Sequence, residues 1–200
     1  MVESGVMKSC FCFSIFFLNT MLFNKGNAKR VRVSSACGQT TLGPYEPDHV
    51  VEYNFLMKDP QLQELTGSEP LSLEEEFDMQ KEWHSDPEKL CLLIFSADGT
   101  FAGDVNAFFR EEDEDGHVVC VAEVSVMIAR SSERQKGHAS RALKLLFDQV
   151  LAKLEQRPVK LEARIKLHNE PSIALFRKLG FVEESVSEAF GEVTMVLCLK

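Results

Sequence analysis

No two cysteines of this chain stand at the CxxC spacing, and none forms a metal-ligand pattern with a histidine. Cys10, Cys12, Cys37, Cys91, Cys120 and Cys198 sit mostly in apolar runs, where a thiol packs as a small hydrophobe. A disulfide framework and a bound metal are therefore not expected, and a reducing, cytoplasmic compartment is. Basic residues are also scarce: 22 Lys and Arg against 31 Asp and Glu give a net charge of -9. Nucleic acid and anionic membrane surfaces would repel such a chain at long range, whereas a basic substrate would be attracted. No apolar run reaches the roughly 20 residues that cross a bilayer. Cys10 to Phe23 has the length of a secretory signal core, but Lys8 alone precedes it with positive charge, Glu3 offsets that charge, and NKGNAKR follows it. Residues 1–30 are read as an atypical amino-terminal extension. Residues 31–200 are read as one domain, which 200 residues at 44% hydrophobic content can support.

From Val31 onward the chain alternates between helical and strand patterns. Val31 to Pro44 reads as a weak strand followed by a loop, and Pro47 to Lys58 as a helix with Val50, Val51, Phe55 and Leu56 on one face. DPQLQELTGSEP is punctuated by Pro60, Gly67 and Pro70. Ser72, three residues before Glu75, forms a capping box that opens the helix LEEEFDMQKEW, whose acidic first turn is expected to be solvated. Leu90 to Ser96 and Phe101 to Phe109 make a hairpin about Ala97-Asp98-Gly99-Thr100. A second hairpin carries Glu111 to Gly116 at its tip and returns as Val118 to Ile128. Ala142, Leu143, Leu146, Val150 and Leu154 recur at helical spacing. Val159, Leu161, Ala163 and Ile165 then alternate with Lys160, Glu162 and Arg164 as in a strand. A helix that starts at Asn169-Glu170-Pro171 stops at Gly180, and strands about Phe181 to Val186 and Glu192 to Leu199 follow. This order is α+β with a mostly antiparallel sheet.

Two places carry chemistry. RQKGHA, Arg134 to Ala139, lies between a strand and a helix. Its first-turn N–H groups have no intrahelical acceptor and sit at the positive end of the helix dipole, an arrangement that binds anions, and Arg134 and Lys136 add charge. With a single glycine and taken without its neighbours, the stretch reads first as a plain strand-to-helix turn. The preceding strand, VVCVAEVSVMI, is apolar apart from Glu123 and Ser125 on one face. A carboxylate there is either a general base of raised pKa or half of an ion pair with an arginine.

Together these residues resemble the GNAT superfamily of N-acetyltransferases. RQKGHA matches its R/Q-x-x-G-x-G/A acyl-CoA loop, and Asn169, Ser172, Phe176, Lys178, Gly180 and Phe181 match N-x-x-S-x-x-x-[YF]-x-K-x-G-F. Ser68 to Trp83, GDVNAFF (Gly103 to Phe109), AEVSVMIA (Ala122 to Ala129) and FGEVTM from Phe190 resemble the N-acetyltransferase 9-like branch from about Pro44 to the carboxyl end. The start departs from that branch, with extra residues before Pro44-Tyr45.

The resemblance implies a GNAT fold: a mixed, twisted, mostly antiparallel sheet of about seven strands, helices on both faces, and a splay between strands four and five that takes acetyl-CoA as co-substrate. It places Arg134, Gln135, Lys136, Gly137, His138 and Ala139 on the pyrophosphate and Met127 and Ile128 along the pantetheine. Asn169 and Ser172 join that binding set, and Phe176 packs near the thioester. It implies direct attack, in a ternary complex, by an amine of a protein or peptide, with tubulin or microtubules as a partner suggested by the branch. Glu123 is then the candidate general base. Many members carry a tyrosine acid where this chain has Phe176, so Tyr45, Tyr53 or water must serve the leaving thiolate. Phe176, Ser125 and the unusual amino terminus leave a second reading open, a catalytically weak binding or scaffold protein. A small-molecule amine is a third.

Overall fold

A computed structural model describes residues 24–199. The apolar run from Cys10 to Phe23 lies outside the described residues. Eight strands form one sheet: β1 (Val33–Ser34), β2 (Thr40–Pro44), β3 (Lys89–Ser96), β4 (Phe101–Glu114), β5 (His117–Met127), β6 (Lys160–Lys166), β7 (Val182–Ser187) and β8 (Glu192–Cys198). Their order is β1-β2-β3-β4-β5-β6-β8-β7, and every neighbouring pair is antiparallel except β5 with β6. The expected count of about seven is exceeded by β1, a two-residue strand that pairs Val33 with Leu42 and Ser34 with Thr41. The splay expected between strands four and five consequently falls between β5 and β6.

The run LCLLIF in β3 is apolar at successive residues because the strand is covered on both sides. Leu90, Leu92 and Ile94 pack with Ala142, Leu143 and Leu146, while Leu93 and Phe95 pack with Val50, Tyr53 and Leu62. The helices that supply these layers are α2 (Val50–Leu56), α3 (Pro60–Thr66), α4 (Leu73–Ser85), α5 (His138–Leu145) and α6 (Glu170–Lys178), preceded by a single turn, α1 (Lys25–Ala28). Residues 24–30, grouped by sequence with the extension, are folded onto this body. Ala28 is fully buried, and the buried Lys29 ammonium donates to the carbonyls of Trp83, His84 and Asp86, closing the carboxyl end of α4.

Several local expectations change. DPQLQELTGSEP contains α3: Asp59 accepts from the Gln61 N–H, Pro60 occupies the first turn, and Gly67 ends the helix at φ 64°. In α2 the inward face is Val50, Tyr53 and Asn54, and Val51 and Phe55 are exposed. The loop expected before Pro44 is β2, which pairs with β1 on one side and β3 on the other. The second hairpin does not open at Glu111; pairing continues to Glu114 with His117, and only Asp115 and Gly116, both at positive φ, make the turn. The Ser72–Glu75 capping box forms in both directions, but Glu76 in the same acidic turn is buried. Burial pushes the Glu76 carboxyl up, against the lowering hydrogen bonds from Asn54 and Tyr45. The helix from His138 is α-helical to Leu145 and then widens to a π turn over Leu146–Val150.

Candidate active site

The sheet opens because β5 and β6 stay together over only three residue pairs, Val121 with Lys160, Ala122 with Leu161 and Glu123 with Glu162. Beyond them β5 follows β4 as far as Met127, while β6 follows β8 as far as Lys166. Alternate peptide groups from Val124 to Met127 therefore face a gap with no strand partner. The gap is a cleft of about 390 Å³, lined on its β5 side by Glu123 to Met127 and on its β6 side by Ala163, Arg164 and Ile165. Gly103 sets the level of this edge. A Cβ there would stand 1.9 Å from the Met127 carbonyl oxygen, so only glycine lets β4 and β5 meet where β5 ends.

The loop after β5 is built to leave amides free. Gln135 and Gly137 both take left-handed backbone, at φ 61° and 79°. The first α5 N–H with a partner is that of Arg141, bonded to the Gly137 carbonyl at 3.2 Å. Among the described residues, the N–H groups from Gln135 to Ser140 have no backbone acceptor. That array at the amino end of a helix suits a pyrophosphate. The side chains brace the loop. Arg134 donates to the carbonyls of Ile128 and Ala129, at 3.0 and 3.3 Å, and Lys136 is paired with Glu133 at 2.8 Å. His138 is buried, with Nδ1 2.9 Å from the Thr40 hydroxyl and Nε2 3.1 Å from Glu133, and Arg141 spans Thr40 and the Lys136 carbonyl. Gln135, Lys136 and Gly137 are exposed, and Ala139 is half-buried in the first turn of α5.

The far wall comes from α6. Asn169 caps it by accepting from the Ser172 N–H at 3.2 Å, and Asn169, Ser172 and Phe176 all line the cleft. Phe176 is edge-on to Phe181, with centroids 5.0 Å apart, and is almost fully buried. Met127 also lines the cleft, and Ile128 follows it as the carbonyl that fixes Arg134.

Acidic and aromatic side chains occupy the other half. Glu123 is partly exposed, and its carboxylate lies 3.5 Å from Arg164 Nε. Trp83, edge-on to Phe108, reaches the cleft as well as packing its own helix. His168 is exposed beside Glu64, 3.6 Å away. Of the two tyrosines, Tyr53 lines the cleft, whereas Tyr45 faces a separate hollow with Lys29 and Gln80. Sequence reasoning passed over one residue here, Asp104. It is 2% exposed, lies across from Met127, and accepts from the Tyr53 hydroxyl at 2.7 Å and from Asn106 Nδ2 at 3.0 Å. Burial pushes its carboxyl up to about 6, against the lowering effect of those two bonds. Burial also drives the Tyr53 phenol well above its usual range, so it remains a donor. The available signal was a polar pair at i and i+2 within the otherwise apolar FAGDVNAFF.

A sheet parted at one strand pair, an array of free amides at the helix start that follows, and acidic side chains in the cleft are features that suit acyl transfer to an amine. The chain matches the acetyltransferase (GNAT) domain over residues 39–182 and belongs to that family. It is an acetyl-CoA-dependent N-acetyltransferase. It is 42% identical over 167 residues to an N-acetyltransferase 9-like protein of Caenorhabditis briggsae, covering 78% of this chain and 81% of that one. It is 35% identical over 171 residues to the alpha/beta-tubulin-N-acetyltransferase 9 of Homo sapiens, covering 80% of each. Its fold is similar to that of the spermidine N-acetyltransferase of Vibrio cholerae, solved in complex with CoA and spermine, with a TM-score of 0.67, 19% identity, and coverage of 80% of this chain and 95% of that one. Among the described residues, no helix is long and apolar enough to cross a membrane, and no three His, Cys, Asp or Glu side chains are placed to hold a metal.

Proposed function

We propose that this enzyme acetylates an amine on a protein or peptide in the cytoplasm, with tubulin as the first acceptor to test. The observation that carries the reading is a pair of features: free amides at the start of α5, just after β5 ends, and a cleft between β5 and β6 whose lining includes Asp104, Glu123 and Glu192. An anionic cofactor tail and a cationic acceptor are thereby each offered a surface of opposite charge. The acceptor class is supported by relatives that are named for alpha/beta-tubulin.

In this reading the backbone from Arg134 to Ala139 holds the pyrophosphate of acetyl-CoA, and the open edge of β5 at Met127 and Ile128 aligns the pantetheine. Asn169 and Ser172 contact the same arm from α6, and Phe176 covers the thioester end. The bound thioester supplies an activated acetyl group whose leaving group is a thiolate. The protein holds the acetyl carbon beside the amine, polarises its carbonyl with β5 amides, and removes one proton from the acceptor. Two carboxylates, Glu123 and Asp104, line the half where that proton must go.

Incubating the protein and acetyl-CoA with a peptide library that includes tubulin amino termini and lysine segments, then reading products by mass spectrometry, tests the reading. Acetylated peptides are expected, and Gly137→Asp should abolish them together with acetyl-CoA binding. Transfer to polyamines with none to any peptide would refute the acceptor class.

A further inference from the structure

We propose that Asp104, working through the Tyr53 hydroxyl, takes the proton of the incoming amine, and that the free Asn106 carbonyl oxygen receives the amine's N–H. The inference rests on the acetyltransferase reading and assigns its proton path.

Asp104 has no cationic partner among the described residues; its contacts are the neutral Tyr53 hydroxyl and Asn106 amide. A carboxylate buried without a counter-ion is costly and persists where its basicity is used. Asn106 carries the second observation. Its Nδ2 donates to Asp104 and, at 3.4 Å, to the Ser125 hydroxyl, which fixes the amide orientation. Its buried Oδ1 has no donor among the described residues, although Asn106 lines the cleft. A buried acceptor beside a proton acceptor is satisfied by an N–H from a ligand, as an amine would supply. Glu123, by contrast, is salt-bridged to Arg164 and partly open to solvent.

The proton path balances. The acceptor's ammonium gives one proton to Tyr53 Oη while Tyr53 passes its own to Asp104 Oδ2, so the phenol stays neutral and Asp104 becomes a carboxylic acid. The amine lone pair then forms the N–C bond, and the C–S bond breaks with its electrons on sulfur. The second N–H proton leaves with the sulfur as a thiol, and Asp104 returns its proton to solvent. The ionisable groups that act on Asp104 are Tyr53 of α2 and Glu76 of α4, and Asp104 in turn acts on Cys91 of β3 and on Tyr45, the residue after β2. Cys91 and Tyr53 are held protonated by burial, and Glu76 favours the protonated form of Asp104.

Carboxyl ¹³C NMR on the unliganded full chain should show one aspartate titrating near pH 6 that is missing from Asp104→Asn. Tyr53→Phe, which removes a donor to the anion, should move it higher. With saturating acetyl-CoA and a peptide acceptor, the acid limb of kcat should follow the same group. It should be absent in Asp104→Asn, where kcat falls about a hundredfold or more at little change in KM for acetyl-CoA. It should be displaced upward in Tyr53→Phe and retained in Glu123→Gln. Loss of the limb in Glu123→Gln, or an Asp104 that titrates in the ordinary carboxylate range, overturns this proposal alone. A wild type that binds no acetyl-CoA, or binds it and acetylates no amine, overturns the functional reading and this proposal with it.

Discussion

Replacing Asp104 with asparagine should make the protein more stable at neutral pH while disabling it. In the folded chain the carboxyl is pushed from its ordinary 3.8 to about 6 by burial. The folded state therefore binds this proton more tightly than the unfolded state does. Below about pH 4 both states are protonated and the group costs nothing. As pH rises through the window from 4 to 6 the unfolded chain ionises first, stability falls, and above pH 6 the full cost stands at about 3 kcal/mol. Asparagine does not titrate. It cannot, however, accept from both the Tyr53 hydroxyl and Asn106 Nδ2, so one hydrogen bond of about 1 kcal/mol is lost at every pH. The two effects predict a crossing: the variant should be about 1 kcal/mol less stable than wild type at pH 4 and about 2 kcal/mol more stable at pH 7. For a chain of this size that is a Tm lower by roughly 2–4 °C at pH 4 and higher by roughly 4–8 °C at pH 7. Thermal melts of both proteins at half-unit steps from pH 4 to 7.5 would read it. Glu76 also titrates high, but it is present in both chains and largely cancels in the difference. Parallel curves across the window would refute the claim that Asp104 carries an uncompensated buried charge.

Gly103→Ala should cost more than the roughly 1–3 kcal/mol of ordinary overpacking, because its Cβ would meet backbone, the Met127 carbonyl at 1.9 Å; chemical denaturation would measure it. Gly137→Ala places a side chain at φ 79° and 2.8 Å from the Arg141 guanidinium, so acetyl-CoA affinity should drop at least about tenfold, against a stability loss of about 1–2 kcal/mol. Calorimetric titration beside a melt separates the two. Ser72→Ala should cost about 1 kcal/mol through the lost cap of α4 and leave acetyl-CoA affinity unchanged, since Ser72 does not line the cleft.

The legible parts of this fold were those written locally. Ser72 and Glu75 announce α4 because the capping box needs only residues three apart, and both of its bonds form. Asn169 and Pro171 announce α6 for the same reason. The loop from Arg134 to Ala139 was legible as a strand-to-helix turn but not in its wiring. Arg134 and Lys136, counted as charge for a phosphate, are bound to carbonyls of Ile128 and Ala129 and to Glu133. Only the folded loop brings those acceptors within reach, so no spacing rule could have shown it. The inward face of α2 was misread because Val51 and Phe55 are more apolar than Tyr53 and Asn54, while tertiary partners rather than hydropathy chose the side. Tyr53 turns in to meet Asp104, and Asn54 to meet Glu76.

Asp104 itself shows why the acceptor half was the harder part to read. In GDVNAFF the glycine and the two polar residues answer different demands: Gly103 lets the β5 edge come close, and Asp104 and Asn106, two apart and hence on one face, turn into the cleft. Each alone would read as a defect in a buried strand, a missing side chain or a misplaced polar group. Their costs make sense only together, because the close approach that Gly103 permits puts Met127 opposite Asp104, and with it the open edge of β5 opposite the proton acceptor proposed above. If that coupling is correct, Gly103→Ala should damage the pH profile of any residual activity as well as stability. A variant that kept the acid limb near pH 6 at reduced Tm would separate strand spacing from proton transfer and leave Asp104 positioned by Tyr53 alone.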